Sequence, residues 1–226
     1  MQENLTVTTE INLYYDLFVP EDAAKPAPLL LALHGYGENK RRMMREAQQM
    51  APDGFAVAAL QAPYQHIIPP KEPTDPLRFG FGWLTNFRPE ESIALHHKFV
   101  LDVIEKLTAD GIADEKRIFL LGFSQTSALN FKFAFTHPEI LRGVAGLCGG
   151  IPGDLETNES YRETGASVFY LYGDQDKFYP LEKFEEYSQR LAKFAKNMQH
   201  KQYEAPHEIT PEMRADVKAW LADLNS

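Results

Sequence analysis

Two hydrophobic rhythms alternate along this chain. Short, continuous apolar runs occur at residues 28–33 (PLLLAL), 55–60 (FAVAAL), 117–123 (RIFLLGF), 143–149 (GVAGLCG) and 167–173 (SVFYLYG). Runs of that length with no polar alternation predict strands buried on both faces of a sheet. Residues 11–19 (INLYYDLFV) alternate and predict an opening strand, and 201–205 (KQYEA) predict a last one. Between the strands the spacing turns helical. Residues 40–50 read as a helix closed by the turn Pro52-Asp53-Gly54. Ile93, His97, Val100, Ile104 and Leu107 place one apolar face on a helix over 92–107. Residues 124–136 predict a central, largely apolar helix that stops near His137-Pro138. Leu181, Phe184, Tyr187, Leu191 and Phe194 mark a further stripe. Thr210-Pro211 has the form of an N-cap and first helical position, ahead of Met213, Val217, Trp220 and Leu221.

Strands alternating with helices predict an α/β fold with a mostly parallel central sheet and helices on both faces. The first strands follow one another without a helix, so an antiparallel start is expected. No internal repeat is visible, and 226 residues fit one domain, 1–226. Residues 62–90 break the rhythm with six prolines and several aromatics. A loop that long in a domain of this size predicts a functional insertion near the active site.

The formal charge of −9 argues against a nucleic-acid partner or an anionic membrane surface. One cysteine, Cys148, rules out an intramolecular disulfide and fits a reducing compartment. The first residues lack a basic stretch followed by an apolar core, and no run is long enough to span a bilayer. A cytoplasmic protein without a membrane span is the expectation. A homodimer stays open beside a monomer.

In α/β sheets ligands bind beyond the carboxyl ends of the strands, so residues at those exits carry the candidate chemistry. Strand 117–122 ends in Gly122-Phe123-Ser124-Gln125-Thr126 and runs into a helix. This resembles the nucleophile elbow, G-x-S-x-G between strand and helix, with Thr126 in place of the second glycine. The plainer reading of Ser124 is a helix N-cap. A serine nucleophile needs a base held by a third group. Strand 167–172 leads into Gly173-Asp174-Gln175-Asp176, and strand 201–205 into Pro206-His207-Glu208. Serine, acid and histidine thus follow in the order of the hydrolase pattern. His200 sits at the entry of its strand, His96 and His97 face different ways on one helix, and His137 lies in a helix stop. His66, in the insertion, stays open. Asp174 and Asp176 are not separated by position. The turn His34-Gly35-Tyr36-Gly37 ends another strand, so the amides of Tyr36 and Gln125 are candidate oxyanion donors.

With LHGYG (33–37), GFSQ (122–125), the spacing Gly173…Asp176…Pro180, His207 and HPEILRGVAGLCGG (137–150), the chain resembles the phospholipase/carboxylesterase family of α/β-hydrolases, which includes the acyl-protein thioesterases. The resemblance implies an α/β-hydrolase fold with Ser124 as nucleophile, Asp176 as acid and His207 as base. It also implies Tyr36 and Gln125 as oxyanion donors and places Trp83 near an acyl pocket. The acidic residue the family carries after that tryptophan is absent from Gly82-Trp83-Leu84-Thr85.

The expected function is a serine carboxylesterase acting on small to medium acyl esters by a Ser-His-Asp triad. Its partner is a small-molecule ester, and neither metal nor organic cofactor is needed. Phe178 and Tyr179, with Trp83 and other aromatics of 62–90, are candidate substrate-binding residues. The alternatives are a thioesterase, lysophospholipase or peptidase on the same fold, or a non-catalytic binding protein.

Overall fold

The computed structural model describes residues 1–70, 72 and 74–226. Its elements follow in the order β1 (Tyr15–Phe18), β2 (Ala27–Leu33), α1 (Lys40–Met50), β3 (Ala56–Leu60), β4 (Tyr64–Ile68) and β5 (Arg78–Gly82). Then come α2 (Pro89–Ala109), β6 (Ala113–Phe123), α3 (Gln125–Thr136), β7 (Gly143–Leu147), β8 (Ser167–Gly173), α4 (Leu181–Leu191), β9 (Met198–Tyr203) and α5 (Pro211–Asn225). Seven of the strands form one sheet in the order β1-β3-β2-β6-β7-β8-β9.

The sheet is parallel except for β1, which runs antiparallel to β3 with Tyr15 opposite Leu60. The antiparallel start therefore exists, but β3 lies between β1 and β2. Residues 11–14 stay outside the strand.

The strands are apolar because both faces are covered, and their side chains sort by period two. Leu29, Leu31 and Leu33 of β2, with Ile118 and Leu120 of β6, face α2, α3 and α4. Leu30 and Ala32, with Phe119 and Leu121, face α1 and α5. Each fully buried leucine contributes about 1.5–3 kcal/mol, so a one-residue slip would disrupt both layers.

Helix α2 is rotated by about one residue from the face its spacing predicts. Ser92, His96, Phe99, Val100, Val103 and Leu107 are buried, whereas Ile93, His97 and Ile104 lie half-buried at the margin. Its apolar stripe is broad, and packing onto Trp83 and α3 selects the side that carries Phe99.

The segment 62–90 has more order than its composition predicts. β4 and β5 pair as an antiparallel hairpin, Tyr64 opposite Gly82 and Ile68 opposite Arg78. Lys71 and Pro73 of this segment lie outside the described residues.

Register brings the strand exits to one edge. Leu33 of β2 is level with Gly122 of β6, Phe123 with Leu147 of β7, Leu147 with Leu171 of β8, and Gly173 with Tyr203 of β9.

Candidate active site

Ser124 stands between β6 and α3 with φ 55° and ψ −113°, a conformation that costs a non-glycine residue on the order of 1–3 kcal/mol. Its side chain makes no capping bond to α3. It points to His207 instead, with Oγ 2.9 Å from Nε2. The turn is held by the Ser124 N–H donating to Leu147 O at 2.9 Å and the Ser127 N–H donating to Ser124 O at 3.1 Å. Gly122 is required below it, because a Cβ there would lie 2.7 Å from Thr126 O.

His207 Nδ1 lies 2.6 Å from Asp176 Oδ2. The other carboxylate oxygen of Asp176 accepts the N–H of Phe178 at 2.8 Å and of Tyr179 at 3.2 Å. Asp174 is turned elsewhere: it accepts from Gln202 Nε2 and from the Ala205 N–H, both at 3.3 Å. That bond and Gln175 N–H to Ala205 O, at 3.0 Å, tie the loop after β8 to the loop after β9. The two aspartates of one sequence motif are thus divided, one against the imidazole and one locking the loops.

The turn 34–37 packs against the elbow. A Cβ on Gly35 would lie 3.2 Å from Ser124 Cβ and 3.0 Å from Phe123 Cδ1. The Gly37 N–H donates to Phe81 O at 2.9 Å and the Glu38 N–H to Gly35 O at 3.3 Å. The Tyr36 N–H has no acceptor among the described residues. Gln125 is the first residue of α3, where the amide has no intrahelical acceptor. Its side-chain Oε1 accepts the Trp83 N–H at 2.9 Å, fastening the end of the hairpin to the elbow.

His34, which opens this turn, also organises it. His34 is buried, and its Nε2 accepts the Ala62 N–H at 3.1 Å while Nδ1 lies 2.8 Å from Gly35 O. Burial pushes its pKa down to about 4, partly offset by the bond to Gly35, so the ring is neutral at pH 7. A histidine at the exit of an otherwise apolar strand is the signal for it. The hairpin has a sequence signal of its own: Gly80 and Gly82 alternate in RFGFGW, a spacing that marks close backbone approach in a strand.

Trp83 is 1% exposed and its indole Nε1–H donates to His34 O at 2.9 Å. Its ring lies between His34 and His96 and meets no open surface, so the side chain braces the turn from below. Phe178 is 74% exposed, with its ring centroid 4.8 Å from that of His207. The Tyr179 ring runs nearly parallel to His207 at 6.0 Å and 28°. His66 stacks on Tyr36 at 4.4 Å. Behind Phe123 a cavity of about 180 Å³ is lined by Gly35, Met43, Ile209 and the ion pairs Arg42–Glu38 and Arg214–Glu46. Cys148 is buried beneath the loops, and burial pushes its thiol up to about 12. Among the described residues no group of histidine, cysteine and acidic side chains forms a metal site, and no helix is long and apolar enough to cross a membrane.

The family described as Phospholipase/Carboxylesterase matches residues 15–225. A proposed esterase, NocK of Nocardia uniformis subsp. tsuyamanensis, is 29% identical over 159 residues, covering 69% of this chain and 42% of that protein. Acyl-protein thioesterase 1 of Eremothecium gossypii is 33% identical over 130 residues, covering 55% of this chain and 54% of that protein. The match therefore spans about half, or less, of these relatives' length. Among solved structures, esterase PE8 superposes with a TM-score of 0.73 at 20% identity, over 95% of this chain and 100% of that one. The Bacillus cereus carboxylesterase gives 0.72 at 17%, over 94% of each chain. These likenesses establish the α/β-hydrolase fold.

Proposed function

Since this chain belongs to the phospholipase/carboxylesterase family, we propose that it is a serine carboxylesterase acting on small to medium acyl esters through an acyl-enzyme. The observation that carries this is the unbroken relay Asp176–His207–Ser124, with contacts of 2.6 and 2.9 Å. A binding protein has no need of a strained serine whose hydroxyl is spent on a histidine.

In the proposed cycle Ser124 Oγ attacks the ester carbonyl carbon as its proton passes to His207 Nε2. The carbonyl π electrons move onto oxygen, and the amides of Tyr36 and Gln125 hold that oxyanion, each contributing about 3 kcal/mol. Asp176 fixes the imidazole tautomer and stabilises the imidazolium. Collapse breaks the bond to the alcohol oxygen, which takes the proton from His207. Water then attacks the acyl-enzyme, gives its proton to His207, and Ser124 Oγ leaves and regains a proton. No metal or organic cofactor takes part.

Phe178 and Tyr179, beside His207, are the proposed acyl contacts. Trp83 acts in this reading through the turn it braces. The aromatic side is open at Phe178, which is 74% exposed. A thioester is the second reading, favoured by the relative named acyl-protein thioesterase 1, and the same relay serves both.

A fluorophosphonate probe tests the proposal. Labelling of the folded protein that vanishes in Ser124→Ala is the expected result. An unlabelled wild type that hydrolyses neither p-nitrophenyl acetate nor p-nitrophenyl butyrate would overturn it.

A further inference from the structure

The relay and the acyl contacts leave the cavity behind Phe123 without a role. It holds about 180 Å³, and about 10–15 Å³ suffices for one water, so a molecule of several heavy atoms fits. Its walls come from the segments that carry the chemistry. Phe123 immediately precedes Ser124, and its ring centroid lies 5.0 Å from that of His207. Glu208 and Ile209 directly follow His207. Gly35 belongs to the 34–37 turn and packs on the elbow, where a Cβ would lie 3.2 Å from Ser124 Cβ. Phe178 and Tyr179 flank His207 from the loop after β8, which contributes nothing to the cavity wall. An ester at Ser124 thus has separate places for its two halves, and His207, which protonates the departing oxygen, stands beside both.

The cavity wall is chemically mixed. Phe123, Met43 and Ile209 supply an apolar side. The charged side is built as pairs: Arg42 Nη1 donates to Glu38 Oε1 at 2.8 Å, and Arg214 Nε donates to Glu46 Oε2 at 2.7 Å. A guanidinium has five N–H donors and a carboxylate about four lone-pair sites, so each pair keeps donors and acceptors to spare. Glu208 is held through its backbone, its N–H donating to Pro206 O at 2.8 Å and its carbonyl accepting the Cys148 thiol at 3.4 Å, and its carboxylate has no partner among the described residues. The Arg214 and Glu46 side chains are only 22% and 20% exposed. An alkyl alcohol lodged here would strip their remaining water and return no hydrogen bond. An alcohol with neighbouring hydroxyls returns those bonds, because each hydroxyl both donates and accepts, and its C–H faces meet the apolar side. An ionic group gains less, since opposite charges in the wall are already paired.

We propose that this cavity is the leaving-group subsite and that it selects esters of neutral polyols, with glycerol or a sugar as the alcohol. This rests on the serine-esterase reading above and adds the alcohol half of the substrate to it. The chemical steps are unchanged: the polyol oxygen is the one that takes the proton from His207.

Four butyrate esters with one acyl group test the subsite: glycerol 1-butyrate, 6-O-butyrylglucose, propyl butyrate and butyrylcholine. The measured quantity is kcat/KM per fluorophosphonate-labelled site, which removes any contribution from misfolded protein. The expected result is that one or both polyol esters exceed propyl butyrate by about tenfold or more, and the faster of the two names glycerol or sugar as the source. Arg42→Met keeps an unbranched side chain and removes the donors, and Glu208→Gln keeps the shape and removes the charge. Each should shrink the polyol-to-propyl ratio by about fivefold, the worth of one hydrogen bond. A wild type that hydrolyses propyl butyrate as well as both polyol esters would overturn the inference and leave the esterase reading standing. So would butyrylcholine outranking both, which would make Glu208 the seat of a cation. Variants in which all four esters slow in parallel would overturn it too, because that is the signature of a structural role. A wild type that takes no label and hydrolyses none of the esters would overturn both readings.

Discussion

Thr126 occupies the place where the elbow motif has its second glycine, and its side chain turns that departure into a tie. It is fully buried, its Oγ1 accepts the Phe123 N–H at 3.0 Å and donates to Leu33 O at 2.9 Å. One hydroxyl therefore joins the elbow to the end of β2, from which the 34–37 turn departs. Thr126→Val keeps the shape and leaves both partners unsatisfied, so it should lower unfolding free energy by about 1–3 kcal/mol. Thr126→Ser should keep most of that. Urea unfolding compares them, and equal losses would show that the methyl, not the hydroxyl, does the holding. At this scale the motif pointed to Ser124 and to two aspartates. Choosing between Asp174 and Asp176 depends on side-chain direction, which differs because one carboxylate meets an imidazole and the other meets β9 and the loop after it.

At the scale of elements, the hairpin β4–β5 serves as a clamp on the turn after β2. Gly37 N–H bonds to Phe81 O, Tyr36 stacks on His66, and Gln125 holds the Trp83 amide. Gly80 is the closest approach, since a Cβ there would lie 2.7 Å from Gly37 Cα and 2.9 Å from His66 Nε2. Gly80→Ala should push the hairpin off the turn and lower kcat for p-nitrophenyl esters at least about tenfold, because misplacing one oxyanion donor is that costly. Gly153→Ala, where a Cβ meets nothing within 4 Å, serves as the control and should leave kcat unchanged. Equal activity in both would show that the hairpin does not position the turn. The prolines and aromatics of 62–90 marked this segment as special. The docking was hidden, because it joins Gly80 to Gly37 across a long stretch of chain.

Across the whole molecule, three histidines are neutral: His34 and His96 are buried and His97 is half-buried. Burial pushes His34 and His97 down to about 4 and His96 to about 3; the neighbouring His97 adds to the effect on His96, and His137 and Lys132 to that on His97. Above the unfolded value of about 6.5 both folded and unfolded chains are neutral at these sites, so they contribute no pH dependence. Below it the unfolded chain binds protons that the folded one refuses. Stability should therefore fall as pH drops from about 6.5 toward 4, each histidine adding up to about 1.4 kcal/mol per pH unit. His96→Gln, chosen to retain a partner for Asn130, which now lies 3.2 Å from Nε2, should flatten that slope. Urea midpoints measured across the window give the slopes, and parallel curves for the two proteins would remove His96 from the account.

What the sequence by itself determined is what local physics controls. Continuous apolar runs demand strands covered on both faces, helical spacing demands amphipathic helices, and a chain of alternating elements closes into a parallel sheet. The strand exits then name Ser124, His207 and the 34–37 turn as neighbours before any distance is known. Only the tertiary structure decided the rest: which aspartate meets His207, that Trp83 lies buried under the turn, that α2 turns by a residue, and that the Tyr179 ring flanks His207. Each depends on contacts between segments far apart in the chain. Such contacts are fixed by packing and hydrogen-bond geometry in three dimensions, and no local pattern of polar and apolar residues records them.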